Sequence, residues 1–241
     1  MNLSNPYAID ANVVAAASET ERTAFIRRTY THLAAAIIGF VCLEGLILTA
    51  YPPEQLLATL GPLISGWGWL LVLGGFMLVS WIARSWAEST SSVGMQYAGL
   101  SLYVVAEVVL FLPLMAISLW LDPTGAIPLQ AGIITGIIFG GLTAMVFLTR
   151  ADFSWMGRYL FLAGLAAMAI IVVGLFTGFS LGLFFSGAMV LLASGYILYD
   201  TSNVLHHYRT DQHVAASLAL FASVALLLWY VMQILISLQN D

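Results

Sequence analysis

Apolar positions in this chain gather into long runs separated by short polar breaks. Seven runs stand out, at roughly 29–50, 64–86, 96–120, 129–149, 159–177, 181–200 and 214–238. A helix of about 20 mostly apolar residues crosses a hydrocarbon core of roughly 30 Å. The breaks carry turn chemistry: Tyr51-Pro52-Pro53, Asp122-Pro123-Thr124-Gly125 and Thr177-Gly178-Phe179-Ser180. No run alternates with a period of two, so a barrel is disfavoured. Helices satisfy their own backbone hydrogen bonds in lipid. The pattern predicts an all-α membrane protein with seven transmembrane helices over residues 29–241, after a polar segment at 1–28. Within that segment Ser18-Glu19-Thr20-Glu21 fits a capping box, which predicts an interfacial helix leading into the first span.

Composition agrees. Hydrophobic residues make up 61% of the 241 and charged residues only 8%, against about 25% charged in a soluble domain. Charge adds a direction. The chain has no lysine, and its arginines are Arg22, Arg27, Arg28, Arg84, Arg150, Arg158 and Arg209. With seven spans all of them fall on one side, and the connections after spans one, three and five hold none. The positive-inside rule then puts the N-terminus in the cytoplasm and the C-terminus outside. No basic run suits nucleic acid, and the polar start is not that of a cleaved secretory signal. The single cysteine, Cys42, excludes an intramolecular disulfide.

Ionisable groups inside membrane helices are costly, about 2.5–3.5 kcal/mol each at the centre on insertion scales, and mark function or buried pairing. Glu107 lies about 16 Å along the third span from Gln96. Gln96, Tyr103 and Glu107 share one stripe, which should face protein or water. Glu107 is either a protonated acid bonded to a neighbouring helix or a functional group. Glu44 lies in the outer half of the first span, where it reaches the interface or caps a neighbour. Asp200 ends the sixth run, next to Tyr199 and a turn from Tyr196. A carboxylate at a helix C-terminus faces the negative end of the dipole, so it needs a partner. Arg84, ending the second span at the same depth, is the natural one. Ordered by depth, Glu44, Glu107 and Asp200 mark a cation route. These acids are too few for a tight calcium cage of six to eight oxygens, so weak passage fits better than storage.

His32, His206 and His207 lie near the same end and are candidate pH-responsive groups. Adjacent histidines on a helix point about 100° apart, so no metal site is expected at His206 and His207. Gly132, Gly136, Gly140 and Ala144 in the fourth span form a small-residue stripe of the kind that lets helices approach closely. No GxSxG, HExxH or Walker loop is present, so an enzyme is not expected, nor a cofactor.

Two stretches carry a family likeness. LTRADFSWMGRYLFLAGL, residues 148–165, resembles the turn between helices four and five of the transmembrane Bax-inhibitor motif (Bax inhibitor-1) family. GYILYDTSNVLHHY, residues 195–208, resembles that family's helix-six ending with its Tyr-Asp-Thr core. The likeness covers roughly residues 20–238. It implies six helices around a central seventh, with pH-sensitive calcium leak in bacterial members and suppression of cell death in eukaryotic ones. It also implies a sensor of two aspartates, one in helix six and one in helix seven, with an Arg of helix two engaging the first. Asp200 matches the first aspartate by motif, and Arg84 matches the Arg by helix and depth. The helix-seven pattern in the family is Leu-Tyr-Leu-Asp. Aligned with Leu228-Trp229-Tyr230-Val231, it puts Val231 where the second aspartate would stand, and no acid occurs from Val214 to Asn240.

The sequence therefore leads to a membrane protein that passes calcium or similar cations weakly, gated on the cytoplasmic side by Asp200 against Arg84. The alternative is a non-conducting regulator that partners other membrane machinery, such as a quality-control protease. The expected location is a bacterial plasma membrane, with the bilayer, calcium or other cations, and other membrane proteins as partners.

Overall fold

Ser18 starts the first helix as its spacing predicts. Its hydroxyl accepts from the Glu21 amide at 3.3 Å, and the Glu21 carboxylate accepts from the Ser18 amide at 3.2 Å. From this reciprocal cap α1 runs unbroken over Glu19–Ala50. The interfacial helix and the first span are therefore one element, starting ten residues before the apolar run.

The computed structural model describes residues 13–65, 67–178 and 181–239. After α1 come α2 (Pro53–Ile64), α3 (Trp67–Ala87), α4 (Val93–Leu121), α5 (Ala126–Thr149), a 3-10 turn (Ser154–Met156), α6 (Gly157–Thr177), α7 (Gly182–His206) and α8 (His213–Gln239). Seven of these are long and apolar enough to cross a membrane. The short α2 adds to the sequence reading. Pro53 opens it after Pro52, since a missing amide costs nothing in a first turn. The Asp122 turn forms as expected: its carboxylate accepts from the Thr124 amide at 3.0 Å and hydroxyl at 2.6 Å. Gly125 follows at φ 75° and Gly178 ends α6 at φ 70°, the left-handed region that glycine enters without strain. Phe179 and Ser180 of the third predicted turn, like residues 1–12 of the polar segment and the tail at Asn240 and Asp241, lie outside the described residues.

The core is built on α4 and α8, the two spans with the largest buried share. α8 packs against α1, α3, α4, α5 and α7. Phe40 of α1 meets Phe111 and Phe221 edge-on, with ring centroids 5.1 and 6.1 Å apart. Gly99 lets α4 lie on the last turns of α3: a Cβ there would stand 2.5 Å from the Ala83 carbonyl oxygen. The expected glycine stripe of α5 behaves differently. Gly132, Gly136, Gly140 and Ala144 are exposed, and a Cβ at any of the three glycines meets nothing within 4 Å. Among the described residues the stripe makes no close helix contact. The buried α5 face is instead Ile127, Ala131, Thr135 and Val146.

Candidate functional site

α7 does not end at Asp200. It continues to His206, so Asp200 sits about 9 Å inside the helix. The helix-end dipole argument does not apply to it, and His206 belongs to the last turn of α7 rather than to a connection. Asp200 is buried at 8% exposure and faces α8. There the Ser223 hydroxyl donates to its Oδ2 at 2.5 Å.

This places Ser223, not Val231, opposite Asp200. Val231 is buried about 12 Å further along α8. The difference in register has a legible cause. Leu220-Phe221-Ala222-Ser223 also follows the Leu-Tyr-Leu-Asp pattern, with Phe for Tyr, Ala for Leu and Ser for Asp. The aromatic pair Trp229-Tyr230 matches the pattern's tyrosine more literally and draws the alignment two turns too far. A serine amid apolar residues is the signal that marks the site.

Asp200 and Ser223 line a cavity of about 1030 Å³ bounded by α3, α4, α6, α7 and α8. Its polar wall residues include Arg84, Tyr103, Glu107, Tyr196 and Tyr199. Gln233 lines it too, about 15 Å along α8 from Ser223. Gln233 Oε1 accepts from the Ser186 hydroxyl at 3.3 Å, so it does not serve Asp200. The rest of the wall is mostly apolar. α3 and α6 share this cavity without packing along their lengths, and Trp67 meets Phe176 edge-on at 4.8 Å.

Glu107 is 4% exposed, and Gln96 and Tyr103 on the same stripe are 7% and 4% exposed. The stripe faces protein, as expected. Arg84 lies over the Tyr103 ring, 5.7 Å from its centroid, a cation–π approach. The expected Arg84–Asp200 ion pair is not formed: among the described residues the ion pairs are His207–Asp152 and Arg209–Asp211. Asp200 has turned to α8 and Arg84 to α4. Both still face one cavity within electrostatic reach of each other. Glu44 is 3% exposed, its carboxylate oxygens have no hydrogen-bond partner among the described residues, and it is not in the cavity wall. The structure thus joins Glu107, Arg84 and Asp200 in one space and leaves Glu44 outside it.

The histidines also sit apart from the cavity. His32 Nε2 meets the Tyr97 hydroxyl at 3.0 Å, and its ring lies 5.0 Å from that of His213. His206 Nδ1 lies 2.9 Å from the Ser202 carbonyl oxygen. His207 meets Asp152 at 3.2 Å. Asp152 anchors the α5–α6 turn. It accepts from the Ser154 amide at 2.9 Å, and Ser202 of α7 accepts from the Phe153 amide at 2.8 Å. The Ser154 amide, with His207 beside it, holds the Asp152 carboxyl down at about 2. No group of three or more acidic, His or Cys side chains suited to a metal ion occurs among the described residues.

A family model described as inhibitor of apoptosis-promoting Bax1 matches residues 22–240. The chain belongs to the Bax inhibitor-1 family. Bax inhibitor 1 of Schizosaccharomyces pombe is 28% identical over 230 residues, 95% of this chain and 82% of that protein. An uncharacterized membrane protein of Vibrio cholerae is 29% identical over 121 residues, 49% of this chain and 54% of its own length. Protein lifeguard 4 of Mus musculus is 31% identical over 115 residues, 44% of this chain and 45% of its own length. Apart from the yeast protein, these matches span about half of each relative. Family membership and seven apolar helices make the chain an integral multi-pass membrane protein.

Proposed function

We infer that this Bax inhibitor-1 family protein passes calcium or similar cations weakly across its membrane, with the Asp200 region as the cytoplasmic gate. The observation that carries the reading is the shared cavity: two buried carboxylates, Asp200 and Glu107, face one space with Arg84 at its edge. Buried acids at membrane depth are retained where they serve a path or a switch. The Ser223 hydroxyl offsets part of the cost by donating to Asp200, and this contact closes α7 on α8. For a cation to pass, that contact must open and the Asp200 oxygens must turn to the ion. Arginine bias supports a cytoplasmic N-terminus, and the V. cholerae relative supports a bacterial plasma membrane as the location.

The test is calcium flux into proteoliposomes over a range of pH. Asp200→Asn and Glu107→Gln should each change the flux or its pH profile. Unchanged flux and profile in both would remove the route.

Ser223 favours a second reading. A serine stands where the resemblance implies a second carboxylate, so a proton shared between two acids is not available here. That suits a non-conducting regulator that binds other membrane proteins, for example a quality-control protease. Flux at the level of empty liposomes, with a partner retained on crosslinking in native membranes, would favour this reading over the first.

A further inference from the structure

Residues 13–17, just before α1, are folded against the turn between α7 and α8. Val14 is fully buried and belongs to the same continuous core as Phe25, Val204 and Val214. Its amide donates to the Tyr208 carbonyl oxygen at 2.9 Å, and Val13 pairs with Arg209 as an isolated antiparallel bridge. Arg22, one turn into α1, holds the segment from the other side. Its Nε donates to the Val14 carbonyl oxygen at 3.1 Å and its Nη2 to that of Ala15 at 2.9 Å. The turn it grips is ordered in its own right: Arg209 pairs with Asp211 at 2.9 Å, and the Gln212 side chain accepts from the Arg209 amide at 3.0 Å.

What this turn does makes the grip consequential. It joins the two helices that carry Asp200 and Ser223. Tyr208, the gripped residue, packs near Phe25 with ring centroids 6.5 Å apart. Its phenol lies within electrostatic reach of Asp200, Arg84, Glu88 and Tyr199. Moving the turn therefore moves the end of α7 that carries Asp200. We propose that residues 13–17 form a clasp that holds the α7–α8 hairpin shut, so that its release frees Asp200 from Ser223 and opens the cavity from the arginine-bearing end. The apolar walls alone do not secure this end: Asp200 is buried there on the Ser223 hydrogen bond with no ion pair among the described residues, and the Thr201 hydroxyl is buried with no hydrogen-bond partner among them, so desolvation favours opening once the clasp is gone.

The inference deepens the gate reading and rests on its location of the gate, but its test measures access rather than flux. Replacing Cys42 with serine leaves a chain without cysteine. Ala222→Cys then puts one thiol on the cavity wall beside Ser223. In lipid nanodiscs a charged thiosulfonate reagent should label it slowly. Val14→Asp, which loses the buried aliphatic contact, Arg22→Ala, which loses the two side-chain hydrogen bonds to the segment, and deletion of residues 1–17, which keeps the Ser18 cap, should each raise that rate about tenfold or more. Ser118→Cys, buried near the far end of α4, should stay unlabelled throughout. An unchanged rate at position 222 in the deletion variant, or in both point variants if that one fails to fold, overturns the clasp. An equal rise at position 118 overturns it as well, because that is general loosening. Flux that fails while access rises counts against the conduction reading alone.

Discussion

Ser223 of α8 donates its hydroxyl to the Asp200 carboxylate of α7, and both side chains are buried. Removing the donor leaves a buried acceptor unsatisfied, which costs about 1–3 kcal/mol. Ser223→Ala should therefore lower the melting temperature in detergent. Asp200→Asn, which keeps an oxygen for the serine to donate to, should cost less than Asp200→Ala. Equal losses for the two Asp200 variants would mean that the hydrogen bond contributes nothing.

Glycines on two helices separate close packing from a lipid-facing surface. Gly99→Ala puts a methyl 2.5 Å from the Ala83 carbonyl oxygen and 2.6 Å from the Ala87 amide. Those are backbone atoms that cannot swing aside, so the loss should be about 1–3 kcal/mol or more. Gly136→Ala meets nothing within 4 Å and should leave stability unchanged or slightly raised, since alanine favours helix. Thermal melting of both variants decides it. A costly Gly136→Ala would instead point to a neighbour on that face.

Asp152 makes the α5–α6 turn sensitive to acid. Its carboxyl is held down from 3.8 to about 2. A lowered value stabilises the fold above the unfolded value, and the contribution disappears as pH falls from about 3.8 to about 2. Its side chain is 49% exposed, so screening limits the effect to about 1 kcal/mol at most. Asp152→Asn should lower stability at neutral pH and flatten the acid dependence across that window, read from melting curves. A parallel shift at every pH would assign the effect to lost hydrogen bonds alone.

The cap at Ser18 is isolated enough to be tested by itself. Ser18→Ala should cost about 1 kcal/mol, with circular dichroism showing fraying of the first turns of α1. The clasp residues lie just before that cap, so Ser18→Ala should also modestly raise thiol labelling in the Ala222→Cys background.

The membrane class, the number of spans and most of their limits were legible in the order of residues. Spanning helices must be long, apolar and internally hydrogen-bonded, and each requirement is written locally. The Ser18 box and the Asp122 turn were legible for the same reason: their partners lie within three residues. The short α2, a helix after two prolines, fell below span length and passed as a break. Only packing settled how the helices without a polar stripe are turned about their axes; α4, with Gln96, Tyr103 and Glu107 on one face, is the helix whose inward side was legible. A membrane helix apolar on all sides carries no stripe that marks its inner face, and its neighbours choose that face. So the glycine stripe of α5 points outward, Arg84 lies on Tyr103 rather than on Asp200, and the residue that meets Asp200 is a serine two turns before the one expected.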